Sequence, residues 1–467
     1  MPDVSILQGL SPRRIFGFAC NQGFVFFLFY IILVHDLNLG ALHLERADLL
    51  GTLFFMVLGF LFIRFSSEQL RTLFGSRTFL FIFAFFLTIG SLIPFFVQTL
   101  NLFWFIFESF LIGISCSFLL AIWGRTLGTV STKVSIPEVF LGSLFGAFIA
   151  LLASFFPFPE LSLALRILPF INAFFLFPSA SLDSPFSSVN ISDNSSKAAT
   201  RISFKIIAGT TLFGMAAGLV EVFYAEPGVL SVSTLGIAFL LFAAFAIGTL
   251  TTLLSENFGR GTALNKAYRL AIFIMLLGLL FIPTPIFDDS AVSGVSILLA
   301  GYLGLSAVLV SLFLVLANVT HSKTSVFFSR GFAALFAGEL AGTIIGNFFF
   351  SVQPQAEIHY GAIVLAGILV LVSYIFLFTE KDFDDLTEIV SISDIFNQRC
   401  QALSETFLLS KREAEILPFV LKGRTSERIS QELFITKSTV DTHLQRIYRK
   451  TEVHNRQELI DLSEEIV

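Results

Sequence analysis

Charged residues are scarce in this chain. Asp, Glu, Lys and Arg make up 13% of its 467 residues, against 55% hydrophobic ones. A soluble domain cannot hide that much apolar surface, which excludes an ordinary water-soluble globule. Cysteine is scarcer still. Cys20, Cys116 and Cys400 stand too far apart for a disulfide framework or a zinc site, and suit a reducing compartment or the membrane interior. A nucleophile elbow, a phosphate loop and zinc-protease spacing are all missing, so neither catalysis nor a cofactor is expected. The long apolar run after Arg13 and Arg14 has no small-residue cleavage site behind it, so it reads as an uncleaved first span.

What the chain does have is apolar length. Runs of about 20 residues, enough to cross hydrocarbon as a helix, occur at 15–34, 48–63, 78–97, 102–122, 138–156, 161–177, 206–225, 232–254, 269–287, 294–317, 330–350 and 359–378. The 60 phenylalanines supply lipid-facing bulk and helix packing. The longest polar break among these windows, 178–205, is rich in Ser, Asn and Asp and falls between the sixth and seventh. The resulting six-plus-six order looks like the major facilitator architecture, whose halves are repeats. The expected fold is therefore all-α, a twelve-helix transmembrane bundle followed by a small helical domain.

Basic residues orient the bundle. One set of alternating segments holds Arg13, Arg14, Arg64, Arg71, Arg77, Arg125, Lys133, Lys197, Arg201, Lys205, Arg260, Lys266, Arg269, Lys323 and Arg330, while the other holds Arg46 alone. Fifteen against one places both termini in the cytoplasm and requires an even number of spans. The domains read as a membrane part, 1–378, a cytoplasmic connector, 379–408, and a C-terminal domain, 409–467. The connector opens on Asp382, Asp384, Asp385 and Glu388, and then places Ile389, Ile392, Ile395 and Phe396 at helical spacing.

The C-terminal domain carries the most specific signal. Ser410 and Glu413 make a capping box ahead of Ile416, Leu417, Val420 and Leu421, and Gly423 ends that helix as a left-handed cap. Pro418 inside it predicts a local kink. Thr425 or Ser426 caps a short second helix carrying Ile429 and Leu433. Thr436 caps a third, which turns Val440, Leu444 and Ile447 inward and Ser438, Asp441, Thr442, Gln445, Arg446 and Arg449 outward. A short turn before a polar-faced helix is the helix-turn-helix design, whose last helix enters the major groove. The inner side given to His443 predicts a structural role.

The stretch LSKREAEIL…KGRTSERISQELFITKSTVDTHLQRIYRKTEVHNRQELIDL resembles the LuxR-type (GerE) helix-turn-helix domain. The resemblance rests on the Leu-Ser-x-Arg-Glu opening, Gly423, Ile429, Leu433, and Ser438-Thr439-Val440 followed by His443. Ile447, Lys450, Val453 and Arg456 also fit. The lead-in Arg399-Cys400 and the ending HNRQELIDL look like a subgroup in which twelve-span membrane domains are fused to this module. The resemblance implies that Asp441, Thr442 and Gln445 face base edges and that Lys437, Thr439, Arg446 and Lys450 contact phosphates. Asp441 departs from the basic residue often found there. The resemblance further implies a homodimer on double-stranded DNA, formed through the last helix, Gln457 to about Glu464. Residues 409–467 carry ten basic and ten acidic side chains, so bulk attraction to phosphate is modest.

Ionisable groups inside spans are costly and mark cavities or partners. Glu108, Arg166, Glu221 and Glu339 stand out, with Arg166 expected as counter-ion to one of the carboxylates. Ala334, Gly338, Gly342 and Gly346 form a small-residue seam, beside a stripe of Glu339, Thr343 and Asn347. Asn21, Gln22 and Asn172 are placed on the same central cavity. The candidate ligand-sensing set is Glu108, Arg166, Glu221, Glu339 and Asn347. His35 and His43, near Asp36 and Glu45, are expected to be solvated and to bind no metal. The expected function is a membrane-bound transcriptional regulator that meets lipid, DNA and an unknown small molecule. The alternative is a transporter with a coupled regulatory domain. Facilitators carry a Gly-x-x-x-Asp-Arg-x-Gly-Arg loop, of which RFSSEQLRTLFGSR and SENFGRG keep only traces.

Overall fold

The computed structural model describes residues 9–39, 42–97, 101–155, 163–176, 193–222, 232–255, 260–283, 293–319, 324–352, 360–377, 382, 396, 399–433 and 435–466. Two compact units emerge, one of Met1–Leu182, Arg201–Asn318 and Ser322–Asp384, the other of Asp183–Thr200, Val319–His321 and Asp385–Val467. Residues 178–192 of the central loop, Glu256 to Gly259, and Asp384, Asp385, Glu388, Ile389, Ile392 and Ile395 of the connector lie outside the described residues.

All twelve apolar windows coincide with helices of the first unit. In chain order these are α1 (Pro12–Phe27), α2 (Ala47–Phe65), α3 (Glu68–Phe74), α4 (Arg77–Phe96), α5 (Leu102–Gly128), α6 (Thr132–Phe155), α7 (Leu168–Leu176), α8 (Asp193–Glu221), α9 (Val232–Leu254), α10 (Arg260–Phe281), α11 (Gly294–Val319), α12 (Thr324–Val352) and α13 (Tyr360–Val372). Ten of the apolar segments are long enough to cross a membrane, and Leu163–Leu176 and Tyr360–Ile375 are shorter. The chain is a multi-span membrane protein. Phe54, Phe62, Phe85, Phe103 and Phe348 point outward, while Phe60, Phe332 and Phe336 stack inside. Phenylalanine thus serves both as outer apolar bulk and as helix packing.

Departures from the sequence reading are local. The ninth window starts at Arg260 and not at 269, because the helix extends past its apolar stretch to take in Lys266 and Arg269. Between α2 and α4 lies the short α3, capped by Ser67, whose side chain accepts from the Leu70 N–H. Asn101 caps α5 in the same way. The loop after α1 is a hairpin, β1 (Leu37–Leu39) against β2 (Leu42–Leu44), in antiparallel register Leu37↔Leu44.

The small-residue seam of α12 meets a matching one on α8. A Cβ on Gly338 or Gly342 would lie 2.0 or 2.1 Å from the carbonyl oxygens of Thr211 and Met215. A Cβ on Gly214 or Gly218 would lie 2.1 or 2.0 Å from those of Leu335 and Glu339. Only hydrogen fits at these four positions, so the two backbones touch. That contact sets Glu221, at the end of α8, beside Glu339 in the middle of α12.

The second unit holds α14 (Lys411–Leu421), α15 (Ser426–Glu432), α16 (Lys437–Lys450) and α17 (Arg456–Glu465). Ser410 and Glu413 form the capping box, and Thr425, not Ser426, caps α15. Gly423 has φ 73. Around it Gly423 N–H donates to Val420 O and Arg424 N–H to Phe419 O, the paired bonds of a Schellman cap. Helix α14 runs through Pro418 without interruption. Ile416, Leu417, Val420, Ile429, Val440, Leu444, Ile447 and Leu459 form the core, and Leu403, from the segment assigned to the connector, is buried with them.

Candidate DNA-binding face and a buried acidic cluster

Helix α16 is capped by Thr436, whose Oγ1 accepts from the Thr439 N–H at 3.3 Å. Its inner row, Val440, Leu444 and Ile447, is buried. Lys437, Ser438, Thr442, Gln445, Arg446 and Arg449 are exposed on the other side, with Thr439 and Asp441 half-buried. All seven residues placed against DNA by the sequence therefore lie on this helix. The Thr442 hydroxyl donates to Ser438 O at 2.8 Å, leaving its oxygen lone pairs outward. His443 is half-buried, and its Nδ1 has no hydrogen-bond partner among the described residues.

Lys450 has a second engagement. Its Nζ donates to Glu413 Oε2 at 2.8 Å and to Leu408 O at 2.9 Å, tying the end of α16 to the start of α14. Burial works to raise Glu413, but the hydrogen bonds from Lys450 and Ser410 outweigh it and hold the carboxyl below its usual range. On the opposite side of α14, Lys422 lies over the rings of Phe396 and Phe419. Burial lowers its ammonium to about 8 and pushes the Cys400 thiol up to about 12.

In the membrane unit the candidate residues separate. Glu221, Glu339 and Asn347 come together, and two residues missed in the sequence join them, Arg46 and Tyr302. The carboxyls of Glu221 and Glu339 are in hydrogen-bonding contact, and Arg46 is the cation whose charge reaches both. The Tyr302 hydroxyl donates to Glu339 Oε2 at 3.3 Å. Asn347 holds the backbone of Glu45: its Oδ1 accepts from Glu45 N–H at 2.7 Å, and its Nδ2 donates to Glu45 O at 3.2 Å.

Arg46 is fully buried and sits at φ 48, a left-handed conformation that costs a non-glycine residue about 1–2 kcal/mol. The Asp36 carboxylate fixes it there by accepting its N–H at 3.0 Å. Its guanidinium donates to backbone carbonyls: Leu33 O from Nε at 3.1 Å and Nη2 at 3.0 Å, Phe29 O from Nη2, and Glu221 O from Nη1 at 3.3 Å. A π-helical turn, Leu28–Ile32, carries the end of α1 into this contact. The one clue in the sequence was that Arg46 is the lone basic residue in its set of alternating segments.

Glu108 and Arg166 are not part of that group. Arg166 was expected to neutralise a carboxylate; among the described residues its Nε donates to Ser91 O at 3.0 Å, and its guanidinium lies 5.7 Å from the Phe95 ring centroid. Glu108 is fully buried on α5, and both its oxygens lack a hydrogen-bond partner among the described residues. Asn21 and Asn172 form a separate chain with Trp123: Asn172 Nδ2 donates to Asn21 Oδ1 at 3.0 Å, and Trp123 Nε1 to Asn172 Oδ1 at 2.6 Å.

A small cavity opens beside the acidic cluster, with Tyr30, Glu221, Met275, Leu298, Tyr302 and Val370 among its walls. Near Arg46, the ligand atoms of Asp36, His43 and Glu45 all lie within 4.8 Å of one another, so these are the described residues able to hold a divalent cation. Neither loop histidine is merely solvated. His43 Nε2 contacts Glu45 Oε1 at 2.7 Å, and the Asp48 carboxylate, 3.0 Å from His35 Nδ1, raises that imidazole. Burial, and then Asp36, push Glu45 up from the carboxylate range.

With this geometry in place, residues 408–463 match the family described as "Bacterial regulatory proteins, luxR family". The transcriptional regulatory protein LiaR of Bacillus subtilis is 48% identical over 48 residues, 10% of this chain and 23% of the relative. The oxygen regulatory protein NreC of Staphylococcus carnosus is 39% identical over 54 residues, 12% and 25% of the two chains. The chain thus spans about a quarter of the length of these curated relatives. Among solved structures, the human organic anion transporter MFSD10 (TETRAN) superposes with TM-score 0.51 at 11% identity, covering 80% of this chain and 100% of that one. The membrane unit has the major facilitator fold, and the C-terminal module is a LuxR-type helix-turn-helix.

Proposed function

We propose that the chain is a membrane-bound one-component transcriptional regulator. The observation that carries this reading is the joining, in one polypeptide, of a LuxR-type DNA-binding module to a facilitator fold that buries Glu221, Glu339 and Arg46 beside a cavity. The basic segments, fifteen to one, favour both termini in the cytoplasm, so that α16 reaches DNA from the inner membrane. Asp441, Thr442 and Gln445 read base edges there, Gln445 as an adenine partner and Asp441 as an acceptor from cytosine. Lys437, Thr439 and Arg446 take phosphates, with Lys450 at the edge of the set. Two modules pair on a two-fold site through α17. A neutral module gains little from bulk charge, so pairing supplies the affinity.

The signal is a small molecule held at the Glu221–Glu339–Asn347 group, which binds one state of the bundle better than the other. Glu339→Gln, Glu221→Gln and Asn347→Ala should each leave protein level and basal transcription of the target promoter intact and abolish induction. Full induction in all three variants sinks the assignment. The facilitator fold itself favours a second reading, transport coupled to regulation. Uptake by reconstituted vesicles that tracks induction supports it, and binding without uptake removes it.

A further inference from the structure

We infer that the cavity beside Glu221 takes an amphiphilic cation, an ammonium group carried on a small apolar body. The inference rests on reading this cluster as the signal site and adds the chemical class of what fills it.

Three observations lead there. The first is the supply of hydrogen-bond donors. Arg46 lends its charge to the two carboxyls, yet its N–H groups are donated to the carbonyls of Leu33, Phe29 and Glu221. Tyr302 covers one oxygen of Glu339. Glu221 Oε2 and Glu339 Oε1 accept from no donor among the described residues, although Glu221 is 3% exposed and Glu339 0%. Buried acceptors of this kind are strongly unfavourable unless a donor reaches them.

The second is charge. Two carboxyls share one guanidinium, and the proton that lets them hydrogen-bond to each other is the second positive charge, which a bound cation can replace. Acidic Glu221 is the charged side chain among the cavity's lining residues. An anion there would face a buried carboxylate, and an uncharged apolar molecule would leave both oxygens as they are.

The third is shape. Met275, Leu279, Leu298, Leu299 and Val370 make an apolar wall, and Tyr30 and Tyr302 line the same space. Aromatic faces next to a carboxylate suit an ammonium by combining cation–π and charge attraction.

The test uses the full-length chain in lipid nanodiscs and three probes that share one body and differ in head group: 2-phenylethylammonium, 2-phenylethanol and phenylacetate. Binding is read by calorimetry. The ammonium should bind at least about tenfold tighter than the alcohol, with no measurable binding of phenylacetate. Glu221→Gln and Glu339→Gln should erase that preference. An alcohol that binds as well as the ammonium, an ammonium affinity unchanged in Glu221→Gln, or no binding by any probe overturns the inference. The head-group comparison on the wild-type chain stands whether or not either variant folds. If the variants abolish induction in cells while no ammonium preference exists, the chemical class fails and the site survives. If induction is untouched, the site itself fails.

Discussion

Replacing Lys450 with alanine separates two roles for one side chain, a brace inside the module and a phosphate contact. Its ammonium lies 2.8 Å from Glu413 Oε2 and 2.9 Å from Leu408 O. Glu413 is 3% exposed in its side chain and Lys450 35%. A hydrogen bond to a charged group contributes about 1.5–3 kcal/mol. Partial exposure of the lysine screens it, so the lower end, about 1.5 kcal/mol, applies. In a module of this size that loss lowers the melting midpoint by about 6–12 °C. The pH dependence follows from the sign of the Glu413 shift. A carboxyl held below its unfolded value stabilises the fold above about pH 4.3 and loses that contribution as pH falls through the lower folded value. The gap between wild type and Lys450→Ala should therefore be full at neutral pH and close below about pH 4. The assay is thermal melting of residues 396–467 by circular dichroism across pH, with DNA binding measured against salt in parallel. A variant that melts within about 2 °C of wild type while its salt slope falls by about 1 refutes the brace and leaves only the phosphate contact.

Other outcomes follow from the same structure. Asp441→Ala and Gln445→Ala should each cost about 1–3 kcal/mol on the preferred operator and relax base preference with an unchanged salt slope, whereas Arg446→Ala should flatten the slope by about 1; anisotropy titrations on a randomised operator set distinguish them. Gly338→Val places a branched side chain where a Cβ already meets Thr211 O at 2.0 Å, and should cost at least about 1–3 kcal/mol. Gly367→Ala, with nothing within 4 Å of its Cβ, should be neutral; monodisperse yield by fluorescence size-exclusion reports both. The Cys400 thiol, pushed up to about 12 by burial, should alkylate at pH 8 more than about 100-fold slower in the folded protein than in urea, as read by mass spectrometry of its peptide.

Most of the architecture was legible because it follows from local pattern. Apolar runs fix the spans, and serine, threonine and glycine at fixed offsets fix the helices of the DNA-binding module. The caps at Ser410 and Thr436 involve partners three residues away, well within reach of a sequence reading. The buried cluster was only half legible. Glu221, Glu339 and Asn347 announce themselves as polar residues in apolar runs. Arg46 could not be assigned as their neighbour, because its partner Glu221 is 175 positions away and it sits in a loop. Tyr302 carries no signal in a run that is apolar on every side. Leu403 was left in the connector because no period links it to α14; only the packed core shows where it belongs.

The doubled glycine contact between α8 and α12 divides the site into a stiff part and a compliant part. With carbonyl oxygens occupying the places of four Cβ atoms, neither helix can slide or roll along the other without driving backbone into backbone. Glu221 and Glu339 therefore travel as a single fixed jaw. Arg46 hangs from the opposite jaw, a hairpin and a π turn joined to the first by hydrogen bonds at Asn347 and Glu221. Any signal that changes the spacing of charge in this cluster must do so by opening or closing that hairpin. On the reading of this cluster as the signal site, the segment between α1 and α2 is the part left to move, and the two helices carrying the acids are its anvil.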